Sequence, residues 1–156
     1  MVDYEYYMAL YGREAVKEAE FNRLLWDASR KVENYTTGAD GVNKLKLFFP
    51  TDRDSAESVK RCICKLIDAM HRISIAEEAA SGYISRADGT VQGKVVTSIS
   101  AGNESISFSA DKNNAIGRAV SDMQEREAIY RNIIQEYLSG VKDSNGINLL
   151  YMGRYR

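Results

Sequence analysis

Three stretches of this chain repeat their apolar residues at intervals of three and four, and that spacing commits most of it to helix. Phe21, Leu24, Leu25, Ala28, Val32 and Tyr35 make the first stripe, on a helix predicted over about 14–34. Val59, Ile63, Leu66, Ile67, Met70 and Ile73 make the second, over about 52–80. The third runs over about 113–139 through Ile116, Val120, Met123, Tyr130, Ile133, Ile134, Tyr137 and Leu138. A single proline, Pro50, falls in 156 residues, so long helices meet few breaks. Gly140 is placed to stop the third helix, and Asp52, Asp54 and Glu57 suit the positive end of the second.

The segment between the second and third helices differs in kind. From Tyr83 to Ser109 it is rich in Ser, Thr, Val, Ile and Gly, with Asp88-Gly89 as a tight-turn signal. Residues 94–100 and 104–109 read as strands around Ala101-Gly102-Asn103, giving a β-hairpin within about 91–109. Val95, Ile99, Ile106 and Phe108 should be its apolar contacts, at a subunit interface or a channel loop, with serines facing water. A lone hairpin is marginal in water, so it must lie on helices or pair with a neighbouring chain. The expected fold is mainly α: three long helices in a bundle, a hairpin inserted between the second and third, all in one domain over 1–156.

The end of the chain is unusual. Beyond the polar turn Asp143-Ser-Asn-Gly146 come Ile147, Leu149, Leu150, Tyr151, Met152 and Tyr155, where most termini are polar and frayed. That apolar surface needs cover. Either Leu149 and Leu150 close the chain's own core, or the tail 141–156 docks on a partner through Leu149, Leu150, Tyr151 and Tyr155, with Arg154 and Arg156 pairing to carboxylates at the rim.

Composition narrows the chemistry. At 44% hydrophobic and 28% charged residues the chain is of ordinary globular type, and a net charge of −1 argues against a strongly basic nucleic-acid binder. Ten tyrosines suit surfaces that serve both water and a partner. Cys62 and Cys64 sit two apart on a helix and point to nearly opposite faces, so they share neither a disulfide nor a metal. Reduced thiols fit a reducing cytosol. No apolar run approaches the ~20 residues needed to span a bilayer, and the opening Met-Val-Asp-Tyr-Glu-Tyr-Tyr lacks the basic start and apolar core of a secretion signal, so none is expected.

No motif for catalysis emerges. His71 stands as the sole histidine, at the surface or boundary of a helix, with no partner in motif context for nucleophilic catalysis. No metal-ligand spacing occurs, and the glycines form no phosphate loop. Arg53, Lys60, Arg61 and Lys65 lie near one side of the second helix, but Asp54, Glu57 and Asp68 interleave with them as on an ordinary wet face. The expectation is a protein without catalytic residues, cofactor or metal.

Several segments, taken in order, resemble the head-tail connector (head-completion adaptor) proteins of long-tailed phages and Gram-positive prophages. They are Asp3-Tyr-Glu-Tyr-Tyr-Met-Ala-Leu-Tyr-Gly12, Glu20–Arg30, Val59–Met70, Gly93–Phe108, Glu136-Tyr-Leu-Ser-Gly140 and Leu149-Leu-Tyr-Met-Gly-Arg-Tyr155. The resemblance implies a mostly helical virion protein that forms a ring beneath the portal once DNA is packaged and gives the tail its platform. It further implies the portal protein, other connector or tail-completion proteins and copies of itself as partners. Sequence-specific nucleic acid and membrane are not expected partners, and the location is the virion, assembled in the host cytoplasm.

Two other classes compete. A helical dimeric regulator binding DNA or protein should line one exposed helix face with Arg, Lys, Asn or Gln. The third helix instead mixes Asp122, Glu125, Arg126, Glu127 and Arg131. A small hydrolase acting through Asp and Glu pairs would need its carboxylates to converge in a pocket.

Overall fold

The computed structural model describes residues 2–12, 16–81, 83–85, 91–93, 99–101, 104–106 and 115–153. Over these the protein is mainly helical. The first two stripes fold as their spacing requires, into α2 (Glu18–Thr36) and α4 (Arg53–Ser81). α2 buries Phe21, Leu24, Ala28 and Val32, while Leu25 and Tyr35 are half-buried. α4 buries Val59, Ile63, Leu66, Ile67 and Ile73, and leaves Met70 half-buried. Each fully buried aliphatic or aromatic side chain contributes about 1.5–3 kcal/mol relative to exposure. Asp52 starts α4 by accepting the Ser55 amide at 2.9 Å, and that bond holds its carboxyl below the usual range.

Two short helices carry no signal in the spacing. α1 (Tyr4–Tyr11) begins at Asp3, whose carboxylate accepts the Tyr6 amide at 2.8 Å. Tyr7 is fully buried there, with its ring 5.3 Å from that of Phe21 and 4.9 Å from that of Tyr11. α3 (Lys44–Leu47) starts at Asn43, whose side-chain oxygen accepts the Lys46 amide at 3.0 Å. Helices of eight and four residues have too few positions to show a period.

The helix expected over 113–139 is in fact two, α5 (Ala115–Ser121) and α6 (Met123–Leu138). Asp122 divides them. Its amide still donates to Arg118 O at 3.0 Å, but its carboxylate accepts the Gln124 amide at 2.7 Å and so caps a new helix. Met123, expected in the buried stripe, is 76% exposed because it begins α6 at that corner. Tyr130, Ile133, Ile134 and Leu138 are buried as spaced, with Tyr137 half-buried.

The contacts of the chain group into two units, residues 1–70 with 130–156, and residues 71–129. In the first, α1, α2, α3, the leading part of α4 and the end of α6 share a core, and Lys31 lies 5.2 Å above the Tyr130 ring. In the second, the Arg126 guanidinium pairs with Glu77 and donates to Ala119 O at 3.1 Å. Two short antiparallel pairs also belong to it. β1 (Tyr83–Ser85) pairs with β2 (Val91–Gly93), and β3 (Ile99–Ala101) pairs with β4 (Glu104–Ile106). Ile99 and Ile106 stand opposite one another in the β3–β4 register. Val95 and Phe108 lie outside the described residues.

Candidate functional site: a clasp of two equivalent turns

The end of α2 and the end of α6 run into the same turn. Residues 36–45 read Thr-Thr-Gly-Ala-Asp-Gly-Val-Asn-Lys-Leu, and residues 141–150 read Val-Lys-Asp-Ser-Asn-Gly-Ile-Asn-Leu-Leu. In the first turn Gly38 N donates to Val42 O at 2.9 Å and Gly41 N to Gly38 O at 2.9 Å. In the second, Asp143 N donates to Ile147 O at 2.8 Å and Gly146 N to Asp143 O at 3.0 Å. Each closes on an isolated antiparallel bridge, Thr37 with Asn43 and Lys142 with Asn148. Gly41 and Gly146 hold φ of 79° and 80°, a backbone region that side chains other than glycine rarely enter. Both turns bury the residue after their asparagine: Lys44 is 1% exposed and Leu149 0%.

The two turns clasp each other. Ala39 N donates to Met152 O at 3.2 Å, and Ser144 N to Phe48 O at 3.1 Å. A Cβ on Gly38 would meet Gly153 O at 2.9 Å, so only glycine permits this approach. The Lys44 ammonium reaches across the gap, donating to Asn148 O at 3.4 Å and to Tyr151 O, with the Tyr151 ring centroid 5.8 Å away. Burial lowers the pKa of Lys44, while the Asp143 and Asp40 carboxylates act in the opposite sense. Asp143 itself is 5% exposed, and its Oδ1 accepts the Asn145 and Ile147 amides at 2.9 Å each.

This arrangement sorts the residues expected to dock. Leu149 is a core residue, and its amide donates to Val141 O at 2.9 Å. In the closed clasp it offers nothing to a partner. Leu150 is half-buried, whereas Tyr151 and Met152 are 53% and 59% exposed. Arg154, Tyr155 and Arg156 lie outside the described residues. Sequence reasoning misses Leu47 (63% exposed) and Phe49 (41%), which sit in a short apolar stretch, and Lys44, which spacing leaves as an ordinary charge. The paired Gly-Val-Asn and Gly-Ile-Asn triplets are the signal that points to the clasp.

Elsewhere, Tyr6 donates its hydroxyl to Glu57 at 2.6 Å, and Arg61 Nε donates to the same oxygen at 3.0 Å. Cys62 and Cys64 are both buried, which pushes each thiol up to about 12. His71 is half-buried. Among the described residues no group of three His, Cys, Asp or Glu side chains is placed to hold a metal ion, and no helix is long and apolar enough to cross a membrane. No family model, curated protein or solved structure matches the chain.

Proposed function

We propose that this chain is a virion structural protein, a ring-forming adaptor between portal and tail that completes the DNA-filled head. The observation that carries the reading is the clasp. It fixes the turn over residues 141–149 against residues 38–48 and leaves Leu47, Phe49, Tyr151 and Met152 exposed around it. Exposed apolar and aromatic side chains gathered around a fixed turn are what a contact protein presents to a partner. The order of the sequence segments that resemble head-tail connectors supports the same reading. In this reading the long helices form a bundle and residues 91–109 form a hairpin that contributes to subunit or channel contacts. The protein acts by binding the portal, its own copies and the next connector or tail protein, and carries out no reaction.

Mass spectrometry of gradient-purified particles from the genome that encodes the chain tests this. The expected result is its recovery in tailed particles together with the portal protein. Its absence from particles while it accumulates in the host would end the proposal.

A further inference from the structure

The two turns of the clasp differ at one telling position. Where the second turn buries Leu149, the first buries Lys44. A leucine there would need no partner. The lysine does, and finds it in the other turn, in the carbonyls of Asn148 and Tyr151 and in the Tyr151 ring. The residues it holds are otherwise weakly attached. Leu150 N donates to Asn148 Oδ1 at 2.8 Å and Tyr151 N to Asn148 O at 3.0 Å, but both bonds lie within the segment. Beyond Leu149, one backbone bond among the described residues reaches the body, Ala39 N to Met152 O. Tyr151 and Met152 keep over half of their surface in water, so apolar burial does little to hold them.

We infer that Leu150–Gly153 is a strap that opens and closes on an intact body, hinged at Leu149 and latched by the Lys44 ammonium. Leu149 stays in the core in both states. The latch is polar, and its acceptors lie at the hinge and on the moving piece. Opening exchanges carbonyl and ammonium contacts for water and uncovers one half-buried apolar side chain, Leu150. A fully buried apolar plug would make the same motion as costly as unfolding. The inference goes beyond the assembly reading and stands whether or not the chain is a connector.

Amide hydrogen exchange on the full chain tests it. In the unaltered protein, the Ala39 and Tyr151 amides should exchange through an opening insensitive to low denaturant. The Leu149 amide and those of α2 should exchange only through global unfolding. Lys44→Met keeps the length and the burial but removes the donor. It should leave the melting temperature within a few degrees and speed exchange at Ala39 and Tyr151 by about tenfold or more, with α2 unchanged. If Ala39 and Tyr151 follow the same denaturant slope as α2 in the unaltered protein, there is no separate strap. If Lys44→Met unfolds the chain, or leaves exchange at Ala39 and Tyr151 as it was, Lys44 is no latch and the inference is overturned.

Discussion

The Tyr6 hydroxyl donates to the Glu57 carboxylate at 2.6 Å, tying α1 to α4 between residues 51 apart in the chain. Burial and this bond push the phenol up to about 12, well above its ordinary value. A phenol whose folded pKa is raised binds its proton more tightly folded than unfolded. Its contribution is therefore complete below about pH 10 and is lost as pH rises toward about 12. Tyr7 and Tyr11 are raised by burial as well and add to the same trend. Melting temperature should fall across that window, and Tyr6→Phe should make the fall shallower. An equal fall in the variant would show that Tyr6 is not a source of it.

Leu149 and Tyr151 sit two residues apart and should respond very differently. Leu149→Ala removes a fully buried side chain and should cost about 2–5 kcal/mol, a loss read from chemical denaturation. Tyr151→Ala, at a position 53% exposed, should stay within about 1 kcal/mol. Truncation after Gly146 removes Leu149 and should therefore destabilise the whole first unit. A truncated chain that melts like the full one would put Leu149 outside the core.

The two buried thiols should be inert in the native state. Burial raises Cys62 and Cys64 to about 12, so at neutral pH almost no thiolate is present and little of either sulfur is reachable. A thiol-reactive dye should label neither in native buffer and both in denaturant. Prompt labelling of either cysteine in the native protein would contradict its placement in the core of α4.

The equivalence of the two turns predicts equivalent costs at their glycines. With φ near 80° at both, Gly41→Ala and Gly146→Ala should each destabilise by about 1–2 kcal/mol. A Cβ at either position would meet open space, so thermal melting would read backbone strain and not a clash. A neutral effect at one and a cost at the other would show that the turns are not equivalent.

The parts legible in the sequence were those with many repeats of one signal. Phe21 to Val32 and Val59 to Ile73 each give several turns of apolar spacing, and both stripes are buried except for the half-buried Leu25 and Met70. Met123 broke the pattern because a local carboxylate, on Asp122, competed with helix continuation, and spacing carries no such information. Lys44 was illegible for a deeper reason. Its burial depends on carbonyls of residues 104 and 107 positions away, which no local reading supplies. The terminal apolar run stands out as unusual, yet sequence left open whether Leu149 faced inward. A backbone turn shared with the end of α2 decides it.

The proposal that the protein joins heads to tails is tested by deleting its reading frame from the genome that encodes it. Electron microscopy of the lysate should show DNA-filled heads without tails beside free tails, with tailed particles restored when the chain is supplied in trans. Tailed, infectious particles in ordinary numbers from the deleted genome would contradict the account.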